Sequence, residues 1–275
     1  MARRALVILT AALATAGCGN ATPATAPATT AAPPPPPKPF RIVFPEGFTR
    51  GQMAVRVKAV AKIAEHERHK RVRLSEAAYL AASRNAVVRC FDRTKRANLE
   101  GFLFPATYDF LRKTTSRQLV AAQLAAFCRN WSKVDLRYAR SKNLTPYDVL
   151  TIASMIEREA AVPSERPLVA AVIYNRLHER MPLGIDATLR YGLGIPPTES
   201  IHQSQLQNPS PYNTRLHSGL PPTPISNPGL ASIRAAAHPA HVDYLYYARK
   251  KDHLHHFFTA SGTAYNRFLA QNGYG

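Results

Sequence analysis

The chain reads as an α+β protein: a small basic α+β module, then a mixed helical and loop-rich domain that closes with a short β-hairpin. Three observations predict this. Short strand-like runs alternate with capped helices in the first half, two apolar-faced helices lie in the middle, and two aromatic strands stand near the end. At 275 residues, 45% of them hydrophobic, there is enough chain to bury a core and form one or two domains.

In chain order, "FRIVFPEGFT" (residues 40–49) predicts a short strand and a Pro/Gly turn. Thr49 with Gln52 three residues on has capping-box spacing and opens a helix to about Glu67. "RHKRVR" is a basic loop, and Ser75-Glu76 starts a second helix, "SEAAYLAAS". Residues 97–110, "ANLEGFLFPATYDF", are aromatic-rich and broken by Gly101 and Pro105, which predicts extended or looped chain. "TTSRQLVAAQLAAFCRNW" has helical spacing at Leu119, Ala122, Leu124, Phe127 and Trp131. Thr145-Pro146-Tyr147-Asp148 is a strong helix start, after which Val149, Ile152, Ala153, Ile156 and Ala160 share one face. Pro163 and Ser164 punctuate, and "ERPLVAAVIYNRL" forms the next helix with Leu168, Val169, Val172, Ile173 and Leu177 inward. From 181 to 229 Pro and Gly recur without a sustained period, so this stretch reads as loop and as the wall of a binding cleft. "DYLYYARK" and "HHFFTA" predict the hairpin.

Charge and the N-terminus restrict the function. Residues 38–142 hold 23 basic and 8 acidic residues (+15), residues 143–275 only 11 and 9 (+2). The basic half should attract polyanions. Arg3-Arg4 is a short basic segment and residues 5–16 are apolar, too short for the roughly 20 apolar residues of a comfortable membrane span. Ala16-Gly17 precede Cys18 as in a lipobox, where the cysteine is acylated and becomes the mature N-terminus. Thr15 replaces the usual leucine, and the alternative is a plain cleaved signal or an uncleaved anchor. Either reading exports the protein and removes nucleic acid from its expected partners. The Ala/Thr/Pro tract of residues 19–39 is an extended spacer with nothing to bury. Cys90 and Cys128 remain: an oxidising compartment favours one disulfide, and two buried thiols are the alternative.

The stretch "LTIASMIEREAA" (residues 150–161) carries the candidate chemistry. At 100° per residue, Glu157 stacks over Ala153 and Leu150, and Glu159 over Met155 and Ile152, on opposite flanks of the apolar stripe. Spacing does not choose between them, and both also fit a solvated helix end. A carboxyl late in a helix faces the negative end of the macrodipole, and partial burial makes it still harder to ionise, which suits a general acid. No metal is expected: His253, His255 and His256 fall on both faces of a strand-like segment with no convergent carboxylate. A thiol–imidazole pair of Cys90 or Cys128 with His238 lacks an activating context. No GxSxG, phosphate-cradling glycine loop or HExxH occurs, and no cofactor is implied.

The blocks "LEGFLFPATYDF", "IASMIEREA", "VAAVIYNRL", "LGIDATLRYGLG", "SPYNTRLHSGLPPTPISNPG" and "AAAHPA…YLYY", in this order, resemble the YceG-like endolytic murein transglycosylase family. "FPEGFTRGQMA" is similar to its LysM-like N-terminal region, so most of the mature chain is covered. After the signal with its cysteine at 1–18 and the linker at 19–39, the resemblance implies a LysM-like module at 40–96 and a catalytic domain at 97–275. It puts the catalytic glutamate on Glu157 and leaves Glu159 as a neighbour. Glu157 would protonate the glycosidic oxygen, then act as base on the C6 hydroxyl of muramic acid, closing a 1,6-anhydro ring. Asn175, Asp186, Thr188, Tyr191, Tyr212, Asn213 and His238 are candidates for the substrate cleft; for Asp186 or His238 a turn or cap hydrogen bond is the alternative. Implied partners are peptidoglycan glycan strands, the outer face of the cytoplasmic membrane through the anchor, and peptidoglycan synthases. Two departures stand out. Gly184 and Ala187 in "LGIDAT" replace a polar residue and a proline of the family pattern, and a lipid stands where a transmembrane helix is common. The rival reading is a non-catalytic wall-binding lipoprotein, favoured by Gly184 and opposed by the intact block around Glu157. The two differ in whether Glu157 opens onto a groove or is tied up in an internal salt bridge.

Overall fold

Side-chain caps, more than helix propensity, set where the helices begin. The Thr49 hydroxyl accepts from the Gln52 N–H and the Gln52 side chain accepts from the Thr49 N–H, at 3.1 and 2.9 Å. Thr115 with Gln118 and Thr145 with Asp148 repeat the device. The computed structural model describes residues 37–92 and 94–273; the signal segment, Cys18 and nearly all of the spacer lie outside them.

The described chain runs β1 (Phe40–Val43), α1 (Arg50–Arg68), α2 (Glu76–Ala82), β2 (Arg84–Val87), β3 (Lys95–Asn98), β4 (Thr107–Phe110), α3 (Ser116–Trp131) and α4 (Arg137–Ser141). There follow α5 (Pro146–Glu159), a 3-10 turn (Pro163–Glu165), α6 (Arg166–His178), α7 (Asp186–Leu193), α8 (Gln203–Leu206) and α9 (Leu230–Ala237). β5 (Tyr246–Arg249), β6 (His256–Thr259) and α10 (Gly262–Asn272) end it. The strands form three separate antiparallel pairs, β1–β4, β2–β3 and β5–β6. The mixture of helices and small sheets is the expected α+β class.

Two expectations need correction. A boundary at 96/97 falls inside β3, and β1 pairs with β4 from Phe40↔Phe110 to Val43↔Thr107, so the two parts share a sheet. Residues 38–275 accordingly form one compact unit. The stretch 181–229 is not all loop, since it contains α7 and α8. Gly184, Gly192 and Gly194 hid the helical spacing of Ile185, Thr188 and Leu189, which are the buried positions here.

The helix carrying the two glutamates is central. All of residues 149–156 are buried, where periodicity gave one face, because α6, α7 and α9 pack around α5. The alanines 235–237 of α9 let it approach closely, and Val169, Val172 and Ile173 of α6 fill another side. At about 1.5–3 kcal/mol per buried Leu, Ile or Val, this helix is a main anchor of the core. Its buried polar groups are used: Ser154 Oγ donates to the Thr151 carbonyl (2.7 Å) and accepts from the Ile225 N–H (3.0 Å), and Ser226 Oγ donates to the Ser154 carbonyl (3.0 Å). These bonds strap residues 225–229 along α5. A disulfide joins Cys90, after β2, to Cys128 in α3.

Candidate active site

At its C-terminal end α5 sends three successive side chains to three different places. Glu157 points to the β1–α1 turn and the start of α9, Arg158 to the carbonyl of Gly47 (3.4 Å), and Glu159 to β5.

Glu157 Oε2 accepts the Gly229 N–H at 2.9 Å, at the N-terminus of α9, where helix N–H groups favour negative charge. Its Oε1 faces Arg166 Nη2 at 3.6 Å, longer than a hydrogen bond. Arg166 Nε is buried with no partner among the described residues. The Glu157 side chain is 5% exposed. The site is therefore narrow, with an ion pair too loose to satisfy either member.

A second carboxylate lies beside it. Glu46, in the β1–α1 turn, rests against Gly229 so closely that a methyl there would overlap its carboxylate. Partial burial pushes the Glu46 carboxyl up, the Glu157 charge adds to this, and Arg166 opposes it. The turn is held by Asn227, fully buried and saturated: it donates to Phe48 O and to Glu100 Oε1 (2.9 and 2.8 Å), accepts from the Leu103 N–H, and exchanges backbone bonds with Gly47 and Phe48.

Glu159 has a different environment. Tyr247 OH donates to its Oε2 at 3.1 Å, and burial pushes its carboxyl up, with Asp186 adding and His256 and Arg249 opposing. An elevated carboxyl is what a general acid needs, so the geometry leaves Glu159 a real competitor to Glu157.

Next to this end of α5 is a cavity of about 370 Å³ between the start of α1 and α7, lined by Arg50, Glu100, Arg158, Arg190 and Tyr191 among others. Glu100 is its buried carboxylate, held by the Arg50 N–H (2.9 and 3.1 Å), Tyr191 OH (3.2 Å) and Asn227; burial outweighs these bonds and pushes it up to about 7.

Of the cleft candidates, Tyr191 and Tyr212 come together as an edge-to-face pair, 5.2 Å apart, by this cavity, and Tyr212 OH lies 2.8 Å from Thr223 Oγ1. Asp186 begins α7 and is paired with Arg215 at 2.6 Å. Asn175 spends its amide on the carbonyls of Val242 and Tyr244, and Asn213 on those of Leu206 and Asn208. Thr188 is buried on Ile185 O and Thr214 Oγ1. His238 caps the far, C-terminal end of α9, exposed and about 12 Å along the helix from the end that meets Glu157. It is not brought to Glu157. His256 and His255 each face their own carboxylate, Glu165 at 2.7 Å and Asp252 at 2.9 Å. Gly184 sits at φ 62°, which glycine adopts without strain, and the Arg176 guanidinium stands 3.5 Å from where a Cβ would be. Glu46, Glu100, Arg166 and Asn227 were not singled out in the sequence, although "FPEGF", "LEGF", "SER" and "ISNPG" hold them.

The sequence profile of the YceG-like family matches residues 23–271. Two similar proteins are named endolytic murein transglycosylase. The one from Bacillus subtilis is 36% identical over 162 residues, 59% of this chain and 45% of that protein. The one from Streptococcus pneumoniae is 39% identical over 163 residues, 57% of this chain and 29% of that protein. A crystal structure of a YceG-like protein from Listeria monocytogenes superposes with a TM-score of 0.71 at 30% identity, covering 84% of this chain and 76% of that one. The matched region thus spans less than half the length of these curated relatives.

Proposed function

Because the chain belongs to the YceG-like family, we propose that it is an exported endolytic murein transglycosylase, cutting the MurNAc–GlcNAc β-1,4 bond within glycan strands. The observation that carries this is the under-bonded Glu157 carboxylate, with one oxygen on the Gly229 N–H and the other facing an unsatisfied Arg166. Glu157 first gives its proton to the glycosidic oxygen. As a carboxylate, stabilised by Arg166 and the start of α9, it then takes the proton of the muramic C6 hydroxyl, which closes on C1. The nucleophile belongs to the sugar, so no enzyme-bound water is required. Tyr191 and Tyr212 offer faces for sugar rings, and the three arginines by the cavity suit an acidic substituent.

The β1–α1–α2 run, with β4 returning after the β2–β3 pair to lie against β1, supports a LysM-like reading of the N-terminal part, and its +15 charge suits an anionic wall. A lipid on Cys18 and the spacer would hold the folded part off the outer face of the membrane, near peptidoglycan synthases. A second reading, a wall-binding scaffold without turnover, is favoured by the slight exposure of Glu157. Mass analysis of products from purified glycan strands separates the two: 1,6-anhydro-muramic ends are expected, and intact strands would establish the scaffold.

A further inference from the structure

We propose that Glu46 is a working member of the site: its carboxylate and that of Glu157 share a single proton opposite Arg166. The inference deepens the transglycosylase reading and rests on it for the chemistry. Both carboxylates meet the same residue, Glu157 Oε2 on the Gly229 N–H and Glu46 against the Gly229 Cα. The turn carrying Glu46 is fixed there: Gly47 N–H donates to Asn227 O (3.0 Å), the Asn227 N–H donates to Phe48 O (2.9 Å), and a Cβ at Gly47 would stand 3.5 Å from the Glu157 Cγ. The charged groups around Glu46 are Glu157 and, against the neighbouring Gly47, Arg158 from α5, with Arg166 from the start of α6; α9 presents only its backbone.

Arg158 is turned to the Gly47 carbonyl, and the charges acting on Glu46 are those of Glu157 and Arg166. These two carboxylates and one guanidinium leave a net charge of −1, which one bound proton neutralises. Glu46 stays exposed while Glu157 is covered, so Glu46 is the member that solvent reaches. In the acid step Glu157 releases the shared proton to the glycosidic oxygen. The proton from the C6 hydroxyl then returns to the pair, and the site is restored without another reactant. The first part of the chain thus supplies a charge to the site as well as a wall-facing surface. It acts through Glu157, as a positioning residue.

The test uses the full folded chain and two readouts. In carboxyl ¹³C NMR titrations, Glu157→Gln should lower the Glu46 midpoint by on the order of one pH unit, since removing a like charge favours ionisation. On purified glycan strands, Glu46→Gln should move the alkaline limb of the kcat/KM profile acidward by a similar amount, so that activity at the old limb falls about tenfold. Glu46→Asp keeps the charge and should keep the limb. Gly229→Ala has a backbone that alanine accepts (φ −76°, ψ 171°) and should reproduce the shift, because the methyl displaces the Glu46 carboxylate. An unchanged Glu46 midpoint in Glu157→Gln, or limbs unmoved in both Glu46→Gln and Gly229→Ala, overturns the proposal. Coupled titration in a protein that leaves strands uncut would uphold the shared proton and reject the transglycosylase reading; cleavage without coupling does the reverse.

Discussion

Replacing each of the two glutamates at the end of α5 by glutamine is the sharpest test of how the site works. In Glu157→Gln the amide oxygen still accepts the Gly229 N–H, and the side chain still sits beside Arg166 without an ideal bond to lose. Folding should change little. What disappears is the exchangeable proton, and removing general acid–base catalysis costs about 10²–10⁴-fold. At about 1.36 kcal/mol per tenfold, that is roughly 3–5 kcal/mol of barrier. One group serving as acid and then base puts the loss at the upper end. In Glu159→Gln the amide still accepts from Tyr247 OH, and a carboxyl whose ionisation burial opposes is replaced by a neutral group. Turnover should stay within about tenfold of the parent. The assay is turnover of both variants on purified glycan strands, with thermal melting as the control for folding and mass analysis of the new ends. If Glu159→Gln is dead and Glu157→Gln active, the assignment is reversed, and the raised Glu159 carboxyl identifies the acid. Reducing ends in place of anhydro ends would make the protein a hydrolase, with Glu46, beside Gly229, a candidate second carboxylate.

Three further outcomes follow from the structure. The Glu100 carboxyl is raised from 4.5 to about 7, so the folded state holds a proton that the unfolded chain releases; its stabilising share is full below pH 4.5 and is lost as pH rises through 7. The difference is at most about 3 kcal/mol, so Glu100→Gln should melt higher than the parent at pH 8 and alike at pH 4; equal melting at both would refute it. Breaking the Cys90–Cys128 bond, which closes a 38-residue separation, should cost on the order of 2–4 kcal/mol, read as denaturant midpoints with and without reductant. Binding of the protein to anionic wall polymer should weaken steeply with salt, because exposed charges are screened beyond about 10 Å at 0.1 M; salt-independent binding would point to specific glycan contacts instead.

The sequence by itself determined the local elements. Capping boxes at Thr49, Thr115 and Thr145, the Pro163 stop and the aromatic hairpin are short-range signals, written within a few residues of where they act. Ordered motif blocks, through the family resemblance, pointed to Glu157 where spacing alone did not choose. Tertiary structure alone decided what surrounds it. Periodicity put Glu157 and Glu159 on opposite flanks but not which neighbours each would meet, since α9, the β1–α1 turn and β5 come from distant parts of the chain. Asn175, Thr188 and Asn213 looked like sugar-binding residues, yet they hold backbone carbonyls or a neighbouring hydroxyl, because a buried amide or hydroxyl must be satisfied wherever the chain places it. Glu46 shows the limit most plainly. In sequence it is one acid in a Pro/Gly turn of a basic segment; only the β1–β4 pairing and the Asn227 bonds carry it to Gly229, beside a carboxylate in the middle of the chain. Charge proximity of that kind depends on long-range packing, and no local spacing encodes it.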